Sequence, residues 1–207
     1  TKIYQRFTKS TKHLPTAIKY FFNLPKIYQR FTNKLPKMFG QKYFDTLLYT
    51  GNQTAGHRIS GLEFKPDLVW IKERSGTRQP QMTDVVRGVG KIMVPSEQDA
   101  EQTISGVSAF NSDGFTLGDH VGANENGDTF VAWCWKAGGA AVTNNDGSIT
   151  SSVSANQKAG FSIVVYTGNG SAGGGGTIGH GLGKIPNIMF VKNRADASNW
   201  SGNGNAG

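Results

Sequence analysis

The sequence predicts a mainly β protein built as an antiparallel sandwich, and three observations carry that reading. Glycine accounts for 28 of 207 residues while charged residues make up only 17%, against roughly 25% in an average chain, so turns are many and exposed amphipathic helices few. From Phe44 onward, short apolar-alternating runs bounded by Gly, Asn and Asp recur at the spacing of sandwich strands. A strand motif then returns at an offset of 117 residues, which is the size of a whole sandwich domain and too long for a solenoid unit. The length suits one such domain with a sizeable core, and excludes a large enzyme with an appended regulatory domain.

Residues 1–43 form a separate basic arm. They hold ten Lys/Arg and no Asp/Glu, so the formal charge of +8 belongs to them, and the remaining chain is near neutral at −2. Any nucleic-acid or anionic-membrane contact therefore falls on this arm alone, and a solvated arm packing on another subunit outweighs both. Lys2-Ile-Tyr-Gln-Arg-Phe-Thr8 recurs as Lys26-Ile-Tyr-Gln-Arg-Phe-Thr32. Pro15, Pro25 and Pro36 punctuate the segment, so the expected structure is short broken helical pieces. Met38 is an alternative start, which would make the upstream residues non-native. No apolar run approaches the roughly 20 residues of a membrane span.

Strands are expected near 44–50, 67–73, 83–87, 91–94, 114–118, 128–136, 148–154, 161–167 and 187–193. The run Asp128–Lys136 is apolar on both faces, with Phe130, Ala132 and Cys134 on one and Val131, Trp133 and Trp135 on the other, as a central strand requires. Phe44–Asn52 matches Phe161–Asn169, and Pro66–Arg74 matches Pro186–Arg194 at an offset of 120, the three-residue difference fitting a loop insertion at Gly173–Gly176. The organisation is thus an arm at 1–43, a first sandwich copy at 44–158, and a truncated start of a second copy at 159–207. The single Cys134 cannot form an intramolecular disulfide, and the fold must stand on its own core.

Several motifs resemble a known group. Leu48-Tyr-Thr-Gly-Asn52, Pro66-Asp-Leu-Val-Trp-Ile-Lys72, Ser112-Asp-Gly-Phe-Thr-Leu-Gly118, Val131-Ala-Trp-Cys-Trp-Lys-Ala-Gly-Gly139, Asp146–Ser154 and Ala159–Gly168 resemble an uncharacterised tandem-repeat domain of marine bacteriophage structural and tail-fibre proteins. The resemblance covers residues 44–207. It implies a concanavalin-like, laminin-G-like jelly-roll sandwich, localisation in the virion after assembly in the host cytoplasm, and other virion proteins or further copies of the chain as partners. It carries no catalytic residues, and the function expected with it is that of a non-enzymatic appendage module that contacts a host-surface glycan or acts as a spacer.

Sandwiches of this type include glucan hydrolases whose active strand alternates carboxylates, and Glu97-Gln-Asp99-Ala-Glu101 has that alternation. Gln98 and Ala100 would not anchor the strand's other face, and Pro95-Ser96 reads as a turn or cap, so a solvated acidic loop is expected and no catalytic set. His57, His120 and His180 lie in separate Gly-rich contexts without a local nucleophile signature. The oxygen-rich loops Asp119–Asp128 and Asn144–Gly147 could hold calcium. Turn chemistry explains them better, since Asn-Gly and Asp-Gly supply positive φ and neither loop has EF-hand spacing. No metal and no cofactor is therefore expected. Trp70, Trp133 and Trp135 are expected in the core, leaving Trp200 as the candidate for stacking on a sugar ring. The candidate ligand-binding residues are Trp200 with His120, Asn124, Glu125 and Asn126 of the Asn-rich loop. A glucanase-like enzyme and an arm-mediated attachment protein are the competing functions.

Overall fold

A computed structural model describes residues 42–170 and 176–204. The basic arm up to residue 41, and most of the Gly173–Gly176 run, lie outside the described residues. Among the described residues, fourteen strands and one short helix follow in order: β1 Phe44–Thr50, β2 His57–Ser60, β3 Leu68–Glu73, β4 Gln81–Asp84, β5 Lys91–Ile92, β6 Gln102–Thr103 and β7 Val107–Asn111. Then come β8 Gly114–Leu117, α1 Val121–Asn124, β9 Thr129–Trp135, β10 Val142–Asn144, β11 Ser151–Asn156, β12 Phe161–Tyr166, β13 Ile188–Val191 and β14 Ser201–Gly204.

β9 is the axis of the molecule. It pairs with β1 along one edge (Phe44 opposite Trp135, Thr50 opposite Thr129) and with β3 along the other (Leu68 opposite Trp135, Glu73 opposite Phe130), giving a four-stranded antiparallel sheet in the order β1-β9-β3-β4. A second antiparallel sheet, β2-β8-β7, lies against it. The two-residue period of a strand sends alternate side chains to opposite faces. Val69 and Ile71 of β3 and Phe130, Ala132 and Cys134 of β9 therefore meet Ile59 of β2, Phe115 and Leu117 of β8 and Val107 of β7 in one buried cluster. The packing is sandwich-like, two antiparallel sheets closing on a shared apolar layer.

The outer face of the first sheet is also apolar. Trp70, Trp133 and Trp135 point there, half-buried and clustered, with ring centroids 5.8 Å apart for Trp70–Trp133 and 4.9 Å for Trp135–Phe44. The tryptophans do pack, but against one another and Phe161, on the side opposite the main core.

Five strands go beyond the sequence expectation: β2, β6, β7, β10 and β14. Each is short and carries few buried apolar residues, Ile59 alone in β2 and Val107 alone in β7, so alternation is too weak to mark them. β11 and β12 form a hairpin across the expected copy boundary at 158/159, with Ser151 opposite Tyr166 and Asn156 opposite Phe161. The repeated segments are strands in both places. Their partners differ: β1 and β3 flank β9, whereas β12 pairs with β11 and β13 with β14. Among the described residues no helix is long and apolar enough to cross a membrane.

Phe130 is fully buried and Leu48 is 64% exposed. Phe130→Ala is expected to cost about 3–5 kcal/mol in urea unfolding, and Leu48→Ala less than about 0.5 kcal/mol.

Candidate functional site

The Asn-rich loop joins β8 to β9 and contains α1. Asn124, at the end of that helix, is fully buried and bonded at both ends of its amide. Its Oδ1 accepts from the Asn52 N–H at 2.9 Å and faces His57 Nδ1 at 2.8 Å, while its Nδ2 donates to the carbonyls of Gly118 at 2.7 Å and Thr54 at 3.2 Å. A carboxamide oxygen only accepts, so His57 carries its proton on Nδ1. One side chain thus ties the β1–β2 loop to the end of β8 and the entry of β9. Gly51 completes the joint, because a Cβ there would collide with the carbonyl of Glu125. Its counterpart in the repeat, Gly168, faces open space.

His120 caps α1. Its Nδ1 accepts from the Gly122 N–H at 3.1 Å and from Gln81 Nε2 at 3.3 Å, so Nδ1 is unprotonated. Burial, helped by the Arg78 charge and opposed by Asp119, holds its pKa below the usual histidine value, which keeps the ring neutral and accepting. The phenol of Tyr49 reaches from β1 to donate to the Ala123 carbonyl at 2.7 Å. Burial, with the neighbouring Cys134 adding, pushes its pKa far above the usual phenol value. Cys134 itself is pushed up to about 12, by burial first and Asp45 second, so the thiol stays protonated and unreactive.

Of the five residues singled out in the sequence, four share this loop with different duties. His120 and Asn124 hold the loop together, Glu125 pairs with Arg78, and Asn126 is exposed beside Gly127, which adopts φ +83° as an Asn-Gly turn requires. Gly147 of the second oxygen-rich turn likewise adopts φ +97°. Trp200 is placed elsewhere, half-buried, its Nε1 donating to the Val94 carbonyl at 3.2 Å.

The acidic triplet is not a strand. Pro95 and Ser96 form a turn, Glu97 accepts from Gln79, and Asp99 accepts from Gln102 at 3.0 Å. Glu101 departs from the solvated loop expected, its side chain being only 12% exposed. Arg194 grips it bidentately, Nε and one terminal nitrogen each 2.9 Å from a carboxylate oxygen. Arg87 approaches from the other side at 3.4 Å while pairing with Asp84. Burial would raise the Glu101 pKa, but the hydrogen bonds and charge of Arg194 and the charge of Arg87 outweigh it and hold the carboxyl below its usual range. This network escaped the sequence reading, because Glu101 and Arg194 lie 93 residues apart.

The domain of unknown function DUF7483 matches residues 40–204. No curated protein and no solved structure matches the chain.

Asn124→Ala leaves the Asn52 amide and the Gly118 carbonyl without partners, and is expected to cost about 2–3 kcal/mol in denaturant unfolding. A carboxyl held low in the folded state stabilises fully above its ordinary value of 4.5 and loses that contribution as pH falls through the lower folded value. The stability difference between wild type and Glu101→Gln should therefore shrink steadily between about pH 6 and pH 3 in a pH series of urea melts.

Proposed function

We propose that this chain, a member of the DUF7483 family, is a non-enzymatic structural and recognition module of a bacteriophage virion, part of a tail fibre or similar appendage that contacts a host-surface glycan. The observation that carries the reading is how the polar groups are employed. His120, Asn124 and Tyr49 fasten one loop to the sandwich-like core, and Glu101 of the acidic triplet is closed off by two arginines. A rigid two-sheet core presenting fastened loops is the physical basis of loop-borne recognition.

The jelly-roll, concanavalin-like form of the sandwich and the tandem duplication belong to the same proposal. The strands at Phe44–Thr50 and Phe161–Tyr166, and at Leu68–Glu73 and Ile188–Val191, support a second copy beginning near residue 159. No described residue supplies that copy with a counterpart of β9. Ile188 and Phe190 are accordingly 66% and 72% exposed, while Leu68, the counterpart of Ile188, is buried and Trp70, that of Phe190, is half-buried. Partners on this reading are other virion proteins and further copies of the chain.

The test is retention without turnover. Incubated with bacterial surface polysaccharide or β-glucan, the protein is expected to bind polymer and leave the concentration of reducing ends constant over hours. Steady release of reducing ends, abolished by Glu97→Gln, would overturn the reading in favour of a glycosidase.

A further inference from the structure

Where β9 leaves the first sheet, a cleft of about 530 Å³ opens between three pieces of chain: the approach to β3, the segment after β9, and the β11–β12 turn. Each piece contributes a lysine. Lys65, Lys136 and Lys158 line the cleft together with Asp67, Asn156 and Gln157. Asp67 is 3% exposed and already engaged, its carboxylate accepting from the N–H groups of Gly139 and Ala137. It holds the turn after β9 in place and offsets one positive charge, leaving the lining with an excess of cations.

Three other lysines of the described chain are engaged by their ammonium groups, and Lys184 of the neighbouring surface is not. Lys72 donates to the Glu73 carbonyl, Lys91 to Thr103 and Lys192 to the Gln98 carbonyl. Among the described residues, none of Lys65, Lys136 and Lys158 has a hydrogen-bond or ion-pair partner for its ammonium group, although this part of the chain carries more acids than bases. Three like charges gathered in a concave surface repel one another, and raise the local concentration of anions.

A second cleft of about 560 Å³ adjoins the first, and Gln157 lines both. Its chemistry is different: Asp146, His180 and Lys184, with glycine backbone between them. Gln157 donates to the Gly181 carbonyl at 3.1 Å and His180 Nδ1 accepts from the Leu182 N–H at 3.2 Å, so the floor is fixed by its own bonds. The pair forms a track with a cationic end and an end of mixed donors and acceptors.

We propose that an acidic polysaccharide lies along this track, one carboxylate or sulfate group seated among Lys65, Lys136 and Lys158 and the hydroxyls of the adjoining sugar meeting Gln157, Asp146 and His180. This rests on the reading of the chain as a glycan-contacting module, and names the class of glycan. A nucleic-acid strand fits less well. It needs a continuous basic groove with aromatic platforms for its bases, whereas no Phe, Tyr or Trp lines either cleft and Asp146 interrupts the positive charge.

The test uses the full chain, and separates the cleft from the basic arm by charge-matched variants. One carries Lys65→Gln, Lys136→Gln and Lys158→Gln, the other Lys2→Gln, Lys9→Gln and Lys12→Gln. Calorimetry is run with polygalacturonate, dextran sulfate, neutral dextran and a single-stranded oligonucleotide, and melting curves confirm that each variant is folded. Losing charged hydrogen bonds in the cleft should weaken binding of the acidic polymer about tenfold or more, while the arm variant should change it less than about threefold by lost screening-sensitive attraction alone. A preference for polygalacturonate assigns a carboxylate to the lysines, and one for dextran sulfate a sulfate. Loss confined to the arm variant overturns the proposal. Equal binding of neutral dextran, insensitive to the cleft lysines, overturns it while leaving the glycan reading intact. Oligonucleotide binding that depends on the cleft lysines, with no polysaccharide bound, overturns both.

Discussion

The structure depends on one strand being apolar on both faces and hydrogen-bonded on both edges. β9 lies between β1 and β3, so its backbone groups are satisfied by neighbours on either side. Its side chains then serve two layers. Phe130, Ala132 and Cys134 close the main core against β2, β8 and β7, and Val131, Trp133 and Trp135 support the aromatic outer face. The hydrophobic gain of the first layer dominates, because the residues involved are fully removed from water. The second layer stays half-open, and its ring contacts are the edge-on and offset kind that aromatic quadrupoles favour.

Everything polar near β9 is arranged around that axis. Asn124 stands at the end of α1 in the loop that leads into the strand, and satisfies four groups that loops would otherwise leave unpaired, which fixes that loop ahead of β9. Asp67 and Ser154 do the same where it ends. Asp67 accepts from Gly139, and the Ser154 hydroxyl donates to the Gly139 carbonyl at 2.7 Å while accepting from the Gly138 N–H at 3.0 Å. The basic cleft is a consequence, because it occupies the space between these end-fixing groups and the β11–β12 turn.

The two kinds of cation in the molecule are used differently. Arg87 and Arg194 present planar forks to carboxylates, and through Glu101 they link residues near the end of the described chain to the loop after β5. The segment around Arg194 is also held by the Ser198 N–H to the Gln98 carbonyl at 2.8 Å and by Trp200 on Val94. Lysines of the cleft carry single flexible charges, and the one carboxylate beside them, Asp67, offsets only one of the three.

The sequence by itself determined the β class, the central strand and the turns. Alternation on both faces of Asp128–Lys136 can only suit a strand buried on two sides, and Asn126-Gly127 and Asp146-Gly147 are local chemistry that needs no partner to be read. It marked His120 and Asn124 as a polar cluster but not as fasteners, since their partners Gln81, His57 and Gly118 come from other strands and loops. β2 and β7 were hidden for the same reason: one buried apolar residue each is no pattern until β8 lies between them. Only tertiary structure decided that the tryptophans of β3 and β9 face outward together, that Glu101 meets Arg194, and that Lys65, Lys136 and Lys158 share a cleft. Strand pairing brings residues tens of positions apart into contact, and that pairing is a property of the whole chain which no local window of sequence contains.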